Sequence, residues 1–385
     1  VSDPFAALPA PLPGCRLTVA IPARDEERLI ARALAALARQ RDLDGAPLAP
    51  DLFDVLVFAN GCRDRTARAA RAALAPHVRA YVVEGTLPAG AAHVGTARKL
   101  VMDAAARRFE HAGRFDALIA STDADSEADP DWIAWTLAEA RTVDAVAGRI
   151  VLAPGERGEL SAAAHALYSC EDAYRRTVAD LEDAHDPLPE DPAPRHGQHF
   201  GASFAVRVRA YRAAGGVPPL PALEDVALYE ALLRADARVR HSPRVRVTTS
   251  PRREPRAHGG LGTFLGDLHA LGRRGAPWLV DDPRDTLARV EARAALRRIW
   301  RGQPRRRDLA LTSAAFALTR ERWDALFDRG EPFGRNYERI AAGAGGAWRR
   351  YAPVPVNEAL AVLRPLLASA NAVRPTRSSA ASGAG

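Results

Sequence analysis

The sequence is nearly devoid of lysine: Lys99 stands alone among 54 basic residues, and all the others are arginine. Together with abundant alanine, this reflects the codon bias of a GC-rich, bacterial-type genome rather than a design for binding phosphate. The net charge of +7 is therefore a weak argument for a polyanionic partner. No basic run is interleaved with aromatics in the manner of single-strand binders, so no nucleic-acid partner is expected. Three cysteines, Cys15, Cys62 and Cys170, are too few and too scattered for a disulfide framework or a zinc cage. They read as small residues in a reducing compartment. No signal peptide opens the chain, and no apolar stretch approaches the roughly 18 residues of a transmembrane span. A soluble, cytoplasmic protein is the expectation.

Glycine-rich phosphate loops are also missing. A Gly-x-Gly-x-x-Gly turn after the first strand would mark dinucleotide binding, but Pro22-Ala23-Arg24-Asp25-Glu26 holds that place. There is no Walker loop.

What is present is a chain of 385 residues, 47% hydrophobic, enough for one large domain plus an appendage. Its central feature runs from Leu118 to Trp132. The apolar Leu118-Ile119-Ala120 climbs to Thr122 and then breaks into Asp123-Ala124-Asp125. A near-continuous apolar run reads as a buried strand, and open α/β sheets place ligands at the carboxyl ends of their strands. Two carboxylates one residue apart at such an end suit a hard divalent cation. A calcium EF-hand loop is excluded, because its glycine and final glutamate positions fall on Ala128 and Ala134.

Further strands are expected at Leu17–Pro22, Val55–Ala59, about 78–83, Ala145–Gly148, His199–Val206 and Val245–Ser250. Helices are expected between them, one with Asp25 as N-cap, one over about 91–109, one over 161–182 and one beginning at Leu223-Glu224-Asp225. This alternation indicates βαβ units and a mainly parallel sheet. Residues 1–15 read as a loose arm, and 184–198 as a lid or binding loop. Helices near 284–301, 308–328 and 357–368 suggest a helical appendage.

The motif set resembles family 2 glycosyltransferases over roughly residues 16–268. Members open with a strand ending Pro-x-x-Asn-Glu, here Pro22-Ala23-Arg24-Asp25-Glu26. Their second strand ends near Asp-Gly-Ser-x-Asp-x-Thr, here Asn60-Gly61-Cys62-Arg63-Asp64-Arg65-Thr66. The Asp-x-Asp run is Asp123-Ala124-Asp125, and the later Glu-Asp pair is Glu224-Asp225.

The resemblance implies a GT-A, Rossmann-like mixed sheet flanked by helices, mainly parallel; outside it, the helical stretches indicate a mostly helical C-terminal extension over 269–372, and composition indicates a disordered tail over 373–385. It implies metal-dependent, inverting transfer of one sugar from a nucleotide-diphosphate sugar to an unidentified acceptor hydroxyl, with Mn²⁺ or Mg²⁺ as cofactor. Asp125 would ligate the metal, and Asp123 would contact the ribose or share in the metal site. Asp225 would be the catalytic base, with Glu224 orienting or contacting the acceptor. Pro22, Arg24, Glu26 and Asn60 would border the nucleoside, and Arg98 and Lys99 would reach the phosphates. Helix capping is the plain alternative for Asp123, Asp125, Glu26, Asn60 and Asp225, and a solvated helix face for Arg98 and Lys99.

Processive relatives carry Gln-x-x-Arg-Trp and membrane helices; neither is in this sequence, which favours a single transfer. The loop carrying Arg252, Arg253 and Arg256 reads either as a closure over phosphates or as a solvated basic loop. His196, His199, His241 and His258 lie in the acceptor half without an assigned role. The extension offers a surface for homo-oligomer formation. Alternative readings are a nucleotidyltransferase of similar sheet architecture and a nucleotide-sugar-binding module without turnover.

Overall fold

The computed structural model describes residues 3–74, 78–153, 160–251, 259–345 and 348–372. Eight strands form one mixed sheet: β1 Leu17–Ala23, β2 Phe53–Asn60, β3 Ala80–Gly85, β4 Leu118–Ser121, β5 Ser126–Ala128, β6 Ala145–Leu152, β7 Phe204–Arg207 and β8 Val239–Thr249. Their order is β3-β2-β1-β4-β7-β6-β8-β5. The first four run parallel. β7 is antiparallel to both β4 and β6, β6 and β8 are parallel, and β5 closes the edge antiparallel to β8.

Helices α1 Ile30–Ala38, α2 Thr66–Ala72, α3 Val94–His111, α4 Trp132–Glu139, α5 Ala162–His185, α6 Val208–Ala213 and α7 Glu224–Arg234 cover the sheet. The central strands are apolar on both faces because both are packed. Val55 and Val57 join Ile30, Leu34 and Trp132 on one side. Leu56 and Phe58 join Val101, Phe109, Tyr211 and Leu228 on the other. This is the expected α/β architecture, a mixed sheet flanked by helices.

Six more helices follow: α8 Leu261–Arg274, α9 Pro283–Trp300, α10 Asp308–Phe316, α11 Arg320–Leu326, α12 Phe333–Gly343 and α13 Val356–Ala372. A two-stranded ribbon, β9 Leu279–Val280 and β10 Val354–Pro355, lies among them. Leu296, Phe316, Trp323, Phe333 and Ile340 build a second core. α8, α9 and α13 pack on α5, and α12 packs on α7. The expected boundary at 268/269 falls inside α8.

The N-terminal segment is not a loose arm. Phe5 is buried against Phe58, with ring centroids 5.3 Å apart. Arg108 Nε donates to Pro9 O at 2.8 Å and Arg114 to Leu12 O at 2.7 Å. The lid expected at 184–198 is packed down as well. Asp191, Arg195 and His196 are buried, and Asp191 Oδ1 accepts from the backbone N–H of His241 at 2.8 Å. The strand expected from His199 begins at Phe204, after a 3₁₀ turn at Gly201–Ser203. The tail at 373–385 lies outside the described residues.

Candidate functional site

The carboxyl ends of β1, β2 and β4 open onto a cavity of about 660 Å³, as expected where strand order reverses in an open α/β sheet. Pro22, Arg24 and Glu26 line it from the end of β1 and Asn60 from the end of β2. Asp123 and Asp125 follow β4, Arg98 projects from α3, and Glu224 and Asp225 come from the start of α7. Residues more than 200 positions apart in sequence thus meet in one hollow.

The first two motif loops lock together. Glu26 N–H donates to Thr66 Oγ1 at 2.7 Å, Glu27 N–H to Asp64 Oδ2 at 3.0 Å, and Arg65 N–H to Glu27 Oε2 at 3.0 Å. Asp25 does not cap α1, whose N-cap is Leu29. Its backbone is left-handed, with φ of 53°, and its Oδ1 accepts from Arg63 N–H at 2.6 Å. That hydrogen bond is the foremost cause holding its carboxyl below the usual range. Asn60 Oδ1 accepts from Leu87 N–H at 3.2 Å, and Arg24 donates to Ala92 O at 3.0 Å.

Asp123 and Asp125 are not helix caps: β5 intervenes before α4 begins at Trp132. Asp123 is held by Arg98, whose Nη2 donates to Asp123 Oδ1 at 2.9 Å. The same guanidinium donates from Nε to Glu224 Oε1 at 2.9 Å and from Nη1 to Ser121 Oγ at 2.5 Å and to Gly201 O at 3.2 Å. Arg98 and Glu224 are both buried. Burial disfavours the Arg98 charge, yet Asp123, Glu224 and Asp225 outweigh it and hold its pKa above the ordinary value. Every guanidinium nitrogen is thus engaged by protein, so Arg98 braces carboxylates rather than offering a free hand to phosphates. Lys99 is displaced from the site altogether. Its ammonium pairs with Asp103 at 2.9 Å, because neighbouring helical residues point about 100° apart.

Leu223, in the left-handed region with φ of 57°, turns the chain into α7. Asp225 does not serve as its N-cap. Asp225 Oδ2 accepts from Gly201 N–H at 2.6 Å and Oδ1 from Val226 N–H at 2.8 Å. Burial foremost, then the Glu224 charge, pushes its carboxyl pKa up, against the pull of Arg98 and the two N–H groups. A carboxylate raised in this way is a stronger base than a solvated one.

A divalent cation fits this donor set. No third His, Cys, Asp or Glu among the described residues joins Asp123 and Asp125 in a compact cluster. Two carboxylates completed by substrate phosphates and water are a usual arrangement for Mg²⁺-like ions. The one compact trio among the described residues is Asp25, Cys62 and Asp64, and it sits in the locked motif loops. His258 and the Arg252, Arg253 and Arg256 loop lie outside the described residues.

The other three histidines form a cluster behind the site. His199 stacks on Tyr229 at 3.9 Å between ring centroids, His241 Nδ1 is 2.9 Å from Asp191 Oδ2, and His196 Nε2 is 3.2 Å from Ser242 O. Burial, then the nearby His241, lowers both His196 and His199 to about 3.

Sequence reasoning missed one wall of the cavity. Tyr168, Glu171, Asp172 and Arg175 line it from α5, Phe264 from α8, and Gln198 and Phe200 from the connection before β7. A one-turn spacing on α5 was the available signal, but it is indistinguishable from an ordinary amphipathic helix.

Residues 18–187 match the family model described as Glycosyl transferase family 2. The matched stretch carries β1–β6 and the Asp123-Ala124-Asp125 run. Among solved structures, the chain is similar to the mannosyltransferase PcManGT from Pyrobaculum calidifontis in complex with GDP-Man and Mn²⁺. That match has 19% identity and a TM-score of 0.43, covering 94% of this chain and 83% of that one. It is similar to S. aureus TarS 1-349 in complex with UDP-GlcNAc, at 14% identity, a TM-score of 0.45 and coverage of 93% and 87%. A third similar structure is glucosyl-3-phosphoglycerate synthase from Mycobacterium tuberculosis with Mn²⁺, UDP-Glc and phosphoglyceric acid. It shows 17% identity, a TM-score of 0.35 and coverage of 69% and 81%. No curated protein matches the sequence. Among the described residues no helix is long and apolar enough to cross a membrane.

Proposed function

We propose that the protein transfers a single sugar, with inversion, from a nucleotide-diphosphate sugar to an acceptor hydroxyl, and that a divalent cation at Asp123 and Asp125 assists. The supporting observation is one cavity that joins Asp123 and Asp125 at the end of β4 to the buried Glu224 and the raised Asp225 carboxylate on α7. The nucleoside lies against the strand ends at Pro22, Glu26 and Asn60.

Asp225 takes the acceptor hydroxyl's proton while that oxygen attacks the anomeric carbon opposite the diphosphate. The bond from the anomeric carbon to the diphosphate oxygen breaks with its electron pair, and the proton stays on Asp225. The cation, when bound, supplies positive charge to the departing diphosphate. Glu224 is oriented by Arg98, and Asp123 is held by the same guanidinium. Neither nucleotidyl transfer nor binding without turnover calls for a raised carboxylate on α7 in the same cavity as Asp123 and Asp125.

Thermal unfolding with a panel of nucleoside diphosphates, with and without Mn²⁺, tests the donor half of this reading. A ligand at about 100 times its dissociation constant stabilises by roughly 2.7 kcal/mol. A metal-dependent rise is expected with one base above the others. No shift with any diphosphate under any metal would remove the foundation of the assignment.

A further inference from the structure

The extension carries a helix whose outer side has an unusual composition for contact with water. α10 turns Asp308, Thr312, Ala315 and Phe316 inward. Its outward positions are Leu309, Ala310, Leu311 and Ala314, with the two leucines 37% and 38% exposed. No charge stands on that outer side, where a surface helix ordinarily carries polar groups. Immediately before the helix come Arg305-Arg306-Arg307, the longest arginine run in the chain, with Arg301 a few residues earlier. All four are exposed, and none forms a salt bridge among the described residues. The neighbouring carboxylates are engaged elsewhere: Asp308 by Arg298 at 2.7 Å and Glu331 by Arg335 at 3.1 Å. Cations at a helix N-terminus oppose the macrodipole, so the run does not serve α10. At the other end Arg350 donates to Ala314 O, and the next residue, Tyr351, is 43% exposed. The apolar strip thus lies between two basic ends.

We infer that this face docks onto a bilayer surface containing anionic lipid. The inference goes beyond sugar transfer and does not depend on it. Codon bias explains why the basic residues are arginine rather than lysine; it does not explain three in a row without salt bridges. Lipid phosphates would supply the missing partners, each basic residue near an anionic surface adding about fivefold to binding. Guanidinium groups suit phosphate oxygens because they can engage two at once. Leu309 and Leu311 would enter the boundary between headgroups and acyl chains, where an apolar helix face leaves water without crossing the bilayer. Tyr351 would sit at the headgroup level. Nucleic acid would use the arginines but leave both leucines wet, and a purely apolar partner would strand the arginines. An anionic bilayer satisfies both halves of the surface.

Vesicle flotation of the full chain is the test, with phosphatidylcholine alone and with phosphatidylcholine mixed with phosphatidylglycerol. The chain should float only with the mixed vesicles, and added salt should weaken its binding. Replacing the run by Arg305→Gln, Arg306→Gln and Arg307→Gln should weaken binding about 100-fold. Leu309→Ser with Leu311→Ser should weaken it about tenfold at low salt, where a purely electrostatic contact would persist. Arg16→Gln, Arg39→Gln and Arg68→Gln remove the same charge from exposed positions on the sheet domain and should leave binding nearly intact. Circular dichroism melting checks that each variant is folded. Equal losses from both arginine sets would reduce the effect to net charge and overturn the docking face. So would equal binding to neutral vesicles, no binding to either kind, or leucine variants that change only the oligomeric state in light scattering.

Discussion

Asp225 stands between opposing influences. Burial and the adjacent Glu224 raise its pKa, while Arg98 and the N–H groups of Gly201 and Val226 restrain the rise. In the proposed role of base Asp225 acts deprotonated, so transfer should fall as pH drops through a pKa above the ordinary carboxylate value, and a rate profile would locate that acid limb. Asp225→Asn should reduce transfer by about 10²–10⁴-fold while the nucleoside-diphosphate melting shift survives; loss of both together would contradict the role. Arg98 invites a complementary experiment. Arg98→Lys keeps the charge but cannot span Asp123, Ser121 and Glu224 at once. Misplaced carboxylates should lower kcat by about 100-fold with little change in donor KM, whereas a direct phosphate contact would show as a raised KM. Gly201→Ala should act in the same direction, because its Cβ would stand 2.5 Å from Arg98 Cζ.

Elements hold these residues in place, and the connection at 186–200 shows how. It ties β8 to the site through Asp191, His196 and His199, and it runs directly into Gly201, the partner of Asp225. His196 and His199 stay neutral in the folded protein, at about 3, but in the unfolded chain they titrate near 6.5. Above pH 6.5 neither state binds the proton, and this contribution to stability is complete. Between 6.5 and about 3 the unfolded chain alone takes up protons, so stability falls with pH, by at most about 2.7 kcal/mol per pH unit while both titrate. Denaturant titrations from pH 7.5 to 5 would measure the slope, and a His196→Gln, His199→Gln chain should flatten it. This packed connection was unreadable in the sequence, where its prolines and charges look like an exposed loop. The strand-end motifs were readable for the opposite reason: polar residues that follow the apolar runs through Ile21, Phe58 and Ala120 mark where the sheet meets solvent. Adjacent helical residues were the limit of that reading. Arg98 and Lys99 look equivalent in sequence, and only the rotation of α3 separates the brace from the bystander.

At the scale of the whole molecule the helical extension is joined to the sheet domain through α5. α9 sends Arg293 to Glu182 at 3.1 Å and Arg297 to Asp186 at 2.5 Å, and α13 packs on the same helix. The segment after α8 contributes Trp278 to the Glu171 carboxylate, so the cavity wall is completed from outside the parallel half of the sheet. Glu182 is held in its charged form by Arg293 and Arg289 despite its burial. Ending the chain before α9 and α13 would strip α5 of two helices packed on it and of the apolar burial they supply. A chain ended after Arg274 should therefore lose its cooperative melt rather than behave as a minimal enzyme. Circular dichroism melting of that truncated chain is the check. An unchanged transition would mean that residues beyond 274 form an independent module; a broadened or missing one would mean that the extension and the catalytic domain fold as a single unit, with α5 as their shared helix.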